Sequence, residues 1–214
     1  MLKTVIFDFD GTLADTRFIL HEIYGSLCSK YNLQELTREE LEQLRALSIR
    51  EKSKKTGVPL AKLPLIAADA LSQYTKYISS ARPFPGIPSV IAELAAEKIV
   101  LAIISSNTVP NIKQFLAIHE MEYFSHIYTC KTLFGKHRTI RQALIEMALS
   151  RHEALYIGDE LRDINACKRV SVPVAAVTWG YDHSELLRSG KPDYLVHTPS
   201  EIPTIVRKGV DREF

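Results

Sequence analysis

The chain has 214 residues, of which 46% are apolar and 24% charged, and its formal net charge is +2. This is the composition of an ordinary soluble globular protein, and the length permits a substantial core. So small a net charge gives no indication of binding to nucleic acid or to an anionic membrane surface. An enzyme or binding protein that acts on small molecules is therefore the first expectation.

The cysteines and the N-terminal residues indicate the compartment. Cys28, Cys130 and Cys167 are odd in number and lack metal-ligand spacing, so we expect free thiols in a reducing environment. No apolar run approaches the length of a membrane span, and Lys3 is followed at once by a strand rather than by the apolar region of a signal peptide. We therefore expect a cytoplasmic protein with no membrane partner.

The first predicted strand ends in two acidic residues. Residues 5–7, Val-Ile-Phe, form a short apolar run that stops at Asp8, and Asp10 follows one residue later. On extended backbone these carboxylates point the same way, and the carboxyl end of a parallel strand faces the crevice where open α/β sheets bind ligands. Gly11 permits a sharp bend that exposes backbone amides to an anion. On turn chemistry alone, an ordinary polar turn is an equally good interpretation.

A block of residues without strand-like runs comes next. From residue 15 to residue 81 the apolar side chains fall at helical spacings, and Thr37 with Glu40 resembles a capping box that opens a helix through Leu47. A further helix is predicted to run as far as Ile78. The block reads as an inserted all-helical subdomain, residues 15–81, within a core made of residues 1–14 and 82–214.

After the stiff linker Arg82–Gly86, helices alternate with short apolar runs, as in βαβ units. This alternation predicts an α/β fold with a doubly wound parallel sheet and right-handed crossovers. The predicted strands cover residues 99–104, 127–129, 154–157, 174–177 and 194–196.

Polar residues follow several of these strands, and the carboxyl ends of parallel strands lie along one edge of the sheet. The candidates collected there are Asp8, Asp10, Ser105, Ser106, Lys136, Asp159 and Asp163. Carboxylates this close raise each other's pKa values unless a cation compensates them, and Mg²⁺ prefers such oxygen ligands. The lysine and the hydroxyls suit an anion whose charge develops during a reaction.

Four stretches together resemble the motifs of the haloacid dehalogenase superfamily. They are DFDGT at 8–12, IISSN at 103–107, FGKHR around Lys136 and GDELRD at 158–163. The helical insertion resembles the C1 type of cap, and residues 177–196 are similar to the corresponding segment of phosphoglycolate phosphatase-like members. The resemblance covers essentially the whole chain, and it implies a Rossmann-like core.

The resemblance also implies catalytic roles. Asp8 would be the nucleophile that forms an aspartyl-phosphate, and Asp10 would be the general acid and then the base. Ser105 and Lys136 would hold the phosphoryl oxygens, together with the bend at Gly11 and with Ser106.

The same resemblance implies a magnesium site. Mg²⁺ would lie between the carboxylates of Asp8 and Asp159 and the backbone carbonyl of Asp10, and Asp163 would support the metal shell.

Simpler interpretations remain open for some of these residues. Ser105 could end a strand in a turn. Lys136 begins a basic run, which is usually a solvated surface, and Lys131 is the alternative phosphate-binding lysine. Asp163 could be an ordinary exposed charge near a helix N-terminus.

Other residues are weaker candidates. Arg45, Ser48 and Arg50 fall in the part of the cap that lines the substrate pocket in similar proteins, but a surface helix explains them equally well. Trp179 and Tyr181 are interpreted as packing residues.

The sequence therefore predicts a magnesium-dependent phosphatase that hydrolyses a small phosphorylated metabolite, phosphoglycolate-like or a sugar phosphate, as a monomer or homodimer. A β-phosphoglucomutase-like isomerase is the main alternative, because those enzymes use the same two aspartates and the same type of cap. Dehalogenation is disfavoured by Asp10, since a halide leaving group needs no proton.

Two further classes fit less well. A phospho-acceptor signalling module would close its third strand with an aspartate, where this chain has Tyr128, Thr129 and Cys130, and it would have no helical insertion. A non-catalytic binding protein is disfavoured by the intact acidic residues. A P-loop hydrolase is excluded, because Gly135-Lys136 is followed by His137 instead of Ser or Thr.

Overall fold

The computed structural model describes residues 2–130 and 135–209. Its central element is β1 (Thr4–Phe7), in which every residue is buried. Strand β4 (Val100–Ser105) pairs in parallel with one side of β1, and β6 (Ala154–Gly158) pairs in parallel with the other. A strand with neighbours on both sides and layers on both faces needs apolar side chains throughout, which is why β1 reads as a continuous apolar run.

Three more strands complete the main sheet: β5 (Phe124–Thr129), β7 (Val174–Val177) and β8 (Tyr194–Val196). The order is β5-β4-β1-β6-β7-β8, and every pairing is parallel. The predicted α/β fold with a doubly wound parallel sheet is confirmed. The order reverses around β1, so the carboxyl end of this strand opens into the crevice where such sheets bind ligands.

One strand is longer than predicted. The prediction began at residue 127, whereas β5 begins at Phe124. The added residues include the polar Ser125 and His126. Polar side chains fit here because β5 is an edge strand, with no partner strand on one side among the described residues.

Helices cover both faces of the sheet. On the face of Val5 and Phe7 lie α5 (Ile87–Ala96), α6 (Val109–Ile118) and α10 (Glu201–Lys208). On the face of Ile6 lie α7 (Lys136–Glu146), α8 (Leu161–Val170) and α9 (Ser184–Ser189). Adjacent residues of β1 thus belong to different cores, as the two-residue period of a strand requires.

The block between the first strand and the rest of the sheet is helical. Its helices are α1 (Arg17–Tyr31), α2 (Arg38–Gln43), α3 (Ile49–Thr56) and α4 (Leu63–Tyr74). Short 3₁₀ turns cover residues 44–46, 60–62 and 78–80.

The predicted capping box is present at the start of α2. The Thr37 amide donates to Glu40 Oε2 over 2.8 Å, and the Glu40 amide donates to Thr37 Oγ1 over 3.2 Å. Two helix ends were predicted too far along the chain. Instead of reaching Leu47, α2 gives way to a 3₁₀ turn at Leu44, and α4 stops at Tyr74 with Ile78 in a separate turn. Ile78 is fully buried although it lies outside the helix. This position is therefore apolar because it packs in the core, and not because the helix continues to it.

The two connections to the helical block run side by side. Strands β2 (Ala14–Asp15) and β3 (Arg82–Pro83) form an antiparallel ribbon in which Ala14 faces Pro83 and Asp15 faces Arg82. The chain therefore enters and leaves the block at one place.

Two other predictions concern single features. Cys28, Cys130 and Cys167, all within the described residues, are buried free thiols. Among the helices of the described ranges, none combines the length and the hydropathy that crossing a bilayer requires.

Candidate active site

The carboxyl end of β1 places Asp8 in a buried position. The residue is 3% exposed, and its amide donates to the Ile157 carbonyl of β6 over 2.8 Å. One carboxylate oxygen accepts the Phe9 amide at 2.8 Å, and the other accepts Lys136 Nζ at 2.7 Å. Burial raises the pKa of Asp8 to about 7, although Lys136 acts in the opposite direction. The charged form of Asp8 therefore depends on neighbouring positive charge.

Lys136 is the first residue of α7, and its side chain turns into the site. It is 4% exposed, and Nζ donates to Asp8 Oδ2 and to Asp163 Oδ1. Burial lowers the pKa of Lys136, but the carboxylates of Asp163 and Asp8 outweigh burial and hold it above its ordinary value. The solvated-surface interpretation is wrong for this residue. The alternative, Lys131, lies outside the described residues.

The bend after β1 requires glycine. Gly11 has φ +79°, and a Cβ there would lie 2.2 Å from Asp159 Oδ2 and 2.5 Å from the ring of Tyr181. The chain turns here as expected. The close approach lets the loop after β1 contact the loop after β6.

Asp159 follows β6 and is fully buried. Thr12 Oγ1 donates to its Oδ1 over 2.7 Å, and the Tyr181 amide donates to its Oδ2 over 2.7 Å. Burial raises the pKa of Asp159 well above its ordinary value, and the nearby charges of Glu160, Asp8 and Asp163 add to this effect. Two hydrogen bonds thus fix the orientation of the carboxylate.

Asp163 lies in the first turn of α8 and is also fully buried. Its Oδ2 accepts the Glu160 amide at 3.1 Å, and its Oδ1 accepts Lys136 Nζ. A Cβ on Gly158 would approach Asp163 Oδ2 to 2.6 Å, so glycine is needed there for the aspartate to fit. The exposed-charge interpretation of Asp163 is wrong, and this side chain is part of the charged cluster.

Three carboxylates come close enough to share a metal ion. Oxygens of Asp8, Glu160 and Asp163 all lie within 4.8 Å of one another, counted among the residues that the structure describes. Hard divalent cations prefer such ligands, so the donor set fits one. Glu160 was not among the predicted ligands, although it directly follows Asp159 in GDELRD. Its carboxylate also accepts Arg162 Nε at 2.6 Å.

Asp10 lies on the side of the site that faces the helical block. Asn107 Nδ2 donates to its Oδ2 over 3.1 Å, and the hydroxyl of Tyr74, the last residue of α4, donates to its Oδ1. Burial raises the pKa of Asp10, whereas the hydrogen bonds from Tyr74 and Asn107 lower it. Neither partner was predicted. Asn107 closes the IISSN stretch and could have been found there, whereas Tyr74 reads as one apolar position of a helix.

The two predicted serines end β4. Ser105 is 1% exposed, and its Oγ accepts the Asn107 amide at 3.0 Å. Ser105 and Ser106 line a cavity of about 460 Å³ together with Asp8 and Asp10, and the helical block forms the opposite wall. The site therefore has an acidic and hydroxylic floor, with the helical block as its roof.

The loop after β7 connects the floor with the helical block. Arg45 Nη2 donates to the Gly180 carbonyl over 2.9 Å, and Arg45 Nε donates to the Tyr181 carbonyl over 3.2 Å. Lys52 Nζ pairs with Asp182 over 2.9 Å. Tyr181 is thus more than a packing residue, since its amide binds Asp159 and its hydroxyl bonds Thr16 at 2.8 Å.

Residues 5–177 match the sequence profile of the haloacid dehalogenase-like hydrolases. The chain belongs to this family, so the predicted family and the predicted hydrolase class are confirmed. Phosphoglycolate phosphatase of Synechococcus elongatus is 29% identical in an alignment of 206 positions that covers 94% of this chain and 95% of that protein. Pyrophosphatase PpaX of Oceanobacillus iheyensis is 24% identical in an alignment of 213 positions that covers 96% of this chain and 97% of that protein.

A solved structure with the same fold comes from Streptococcus pneumoniae. This haloacid dehalogenase-like hydrolase superposes with a TM-score of 0.79 at 24% identity, over 95% of this chain and 97% of that chain. A predicted phosphatase from Clostridium acetobutylicum superposes with a TM-score of 0.80 at 20% identity, over 97% and 100%. At these identities the likeness concerns the fold.

Proposed function

We propose that this hydrolase is a magnesium-dependent phosphatase that removes the phosphoryl group from a small phosphorylated metabolite. One observation carries the proposal most directly: a buried lysine joins Asp8 to a second acidic side chain at the carboxyl end of the central strand. A buried cation beside an acidic pair suits a phosphoryl group that gains charge in the transition state. Two relatives that align over nearly their whole length are named phosphoglycolate phosphatase and pyrophosphatase. These names denote hydrolysis of a phosphate ester or a phosphate anhydride, which supports the proposal.

Asp8 is proposed as the nucleophile. Its carboxylate attacks phosphorus while the bond from phosphorus to the leaving oxygen breaks, which gives an aspartyl-phosphate and the alcohol. Water then attacks this phosphorus and regenerates the Asp8 carboxylate and inorganic phosphate. Lys136, Ser105, Ser106 and the amides around Gly11 are proposed to hold the phosphoryl oxygens.

Asp10 is proposed as the proton donor to the leaving oxygen and then as the base that accepts a proton from the attacking water. Burial raises the pKa of this carboxyl, which shifts it toward the protonated form that a general acid needs. Its position beside Tyr74 directs it toward the helical block, where the leaving alcohol would lie.

Mg²⁺ is proposed as the resident metal, held by carboxylates of the acidic cluster, with Asp8, Asp159, Asp163 and the Asp10 carbonyl as the ligand set implied by the family. The close approach of Asp8, Glu160 and Asp163 supports a dication here and adds Glu160 as a candidate. When bound, the metal supplies positive charge that neutralises Asp8 and the phosphoryl oxygens.

We further propose that residues 15–81 act as a cap over a core made of residues 1–14 and 82–214. The paired β2 and β3 connections support this division, because a ribbon of two short strands is a compact hinge. A cap that closes over the substrate would exclude bulk water from the phosphoryl group. The cytoplasmic location and the monomeric or homodimeric state stay predictions.

The test is phosphate release from an aryl phosphate with Mg²⁺, by the wild-type protein and by Asp8→Asn. We expect Asp8→Asn to abolish turnover and a chelator to abolish it in the wild type. The matched control is Asp193→Asn, which also neutralises an aspartate but lies outside the acidic cluster. Full activity of Asp8→Asn would show that the nucleophile is misassigned, and isomer formation without free phosphate would favour the mutase alternative.

A further inference from the structure

The cavity above the phosphoryl site is larger than a two-carbon phosphate ester requires. Its volume of about 460 Å³ lies within the range of roughly 300–1,000 Å³ that is typical of pockets for much bigger organic ligands. At about 30 Å³ for each water molecule, this space equals about fifteen waters. A small hydrophilic substrate would leave much of it filled with solvent.

The wall opposite the acidic floor is apolar and comes from three parts of the helical block. Each part contributes aliphatic side chains: Ile23 and Leu27 of α1, Leu41 and Leu44 of α2 and its following turn, and Ala67, Ala70 and Leu71 of α4. Since the same cavity contains Asp8, Asp10 and Ser105, the apolar wall continues directly from the phosphoryl site.

The basic side chains in this cavity already bond protein groups. Arg17, Lys52 and Arg162 each pair with a carboxylate, and Arg45 donates to two backbone carbonyls. A second anionic group on the substrate, such as the carboxylate of 2-phosphoglycolate, would have to compete with these partners. His21 is the other basic residue among the described residues that line the cavity.

Building on the proposed function, we infer that the substrate is a phosphate monoester whose leaving alcohol carries an apolar body. The phosphoryl group lies on the floor, the leaving oxygen lies beside Asp10, and the hydrocarbon fills the space between α1, α2 and α4. Burial of this hydrocarbon supplies binding free energy that a compact, doubly charged ester cannot obtain from the same wall.

The experiment compares propyl, pentyl and heptyl phosphate with 2-phosphoglycolate, using the full chain with Mg²⁺ and recording free phosphate. The three alkyl esters have leaving groups of nearly equal basicity, so differences between them report binding of the chain. We expect kcat/KM to rise by up to about fourfold for each methylene that reaches the apolar wall. We expect 2-phosphoglycolate to be a poorer substrate than heptyl phosphate.

Two variants on one helix test the location of the hydrocarbon. Leu71→Asn places an amide in the wall, whereas Leu65→Asn makes the same change at a position that is 58% exposed and outside the cavity lining. We expect Leu71→Asn to reduce the heptyl-to-propyl ratio of kcat/KM by at least fivefold, and Leu65→Asn to leave this ratio within twofold of the wild type.

The outcomes separate the two proposals. Phosphate release with no dependence on chain length, or with 2-phosphoglycolate as the best substrate, would overturn the inference while leaving the phosphatase intact. No phosphate release from any of the esters would overturn the proposed function and the inference with it. The wild-type series alone decides the inference if Leu71→Asn does not fold.

Discussion

Replacement of Lys136 by methionine tests the central feature of the site. Methionine has a similar length but no charge, so Lys136→Met removes the cation that bonds Asp8 over 2.7 Å and also bonds Asp163. Both carboxyl groups stay largely shielded from water, since Asp8 is 3% and Asp163 0% exposed. Removal of one partner from a buried ion pair costs about 3–5 kcal/mol of unfolding free energy.

The protonation of the carboxyl groups sets an upper limit to this cost. Because the pKa of Asp8 is already about 7 beside Lys136, the added cost falls mainly on the second carboxylate. A carboxylate that loses its cation can take up a proton instead. Relative to an unfolded-state pKa near 3.9, this protonation costs about 4 kcal/mol at pH 7 but only about 1.5 kcal/mol at pH 5. For a chain of this length, each kcal/mol corresponds to a change in Tm of about 2–4 °C. We therefore expect Lys136→Met to lower Tm by roughly 8–16 °C at pH 7 and by roughly 3–6 °C at pH 5.

Thermal unfolding followed by circular dichroism, without metal ions, measures both values. The control is Arg141→Met, which removes a positive charge from the exposed side of the same helix α7. Surface changes of this kind usually alter stability by no more than about 0.5 kcal/mol. A loss of Tm that equals the control, or that is the same at both pH values, would refute the description of Lys136 as the buried partner of two carboxylates.

Three other perturbations have defined outcomes. Burial raises the pKa of Asp8 to about 7 in the folded chain, so the folded protein holds a proton that the unfolded chain releases near pH 4. The metal-free protein should therefore lose stability as pH rises from about 4 through 7. Since Mg²⁺ would compensate the ionised carboxylate, it should raise Tm more at pH 8 than at pH 5. Tyr74→Phe removes a hydrogen bond that orients the Asp10 carboxyl, so it should lower kcat about tenfold or more for alkyl phosphates, whose leaving oxygen needs a well-placed proton donor. The loss should be less than threefold for an aryl phosphate with a good leaving group. Gly180→Ala places a Cβ 2.2 Å from Asp159 and should weaken Mg²⁺ affinity, whereas Gly25→Ala, with no atom within 4 Å, should not.

The sheet and the motifs that directly follow its strands could be predicted because their signals are local. A strand buried on both faces needs consecutive apolar residues, and the polar residue after it must then lie at the sheet edge, as Asp8 and Ser105 do. The edge strand β5 was the exception. It contains Ser125 and His126, so its first half lacks the continuous apolar run by which the other strands were predicted.

The partners of these residues could not be predicted in the same way. Tyr74 reaches Asp10 only because the helical block folds back over the sheet, and no local pattern records that return. The orientation of Asp159 depends on Tyr181, which is more than twenty positions further along the chain. Sequence periodicity assigns residues to elements, whereas side-chain partners from different elements depend on how those elements pack.

The loop from Trp179 to Asp182 explains why the floor and roof of the site belong to one structural unit. Its Tyr181 amide fixes Asp159, and its Asp182 carboxylate accepts the Leu161 amide at the start of α8 over 2.8 Å. The same loop bonds the helical block through Arg45 and Lys52. Both sets of bonds thus involve one short segment. If the helical block moved away from the core, the bonds from Arg45 and Lys52 would break, and the loop that orients the acidic cluster would lose this support. The geometry of the charged floor is therefore tied to the position of the helical block.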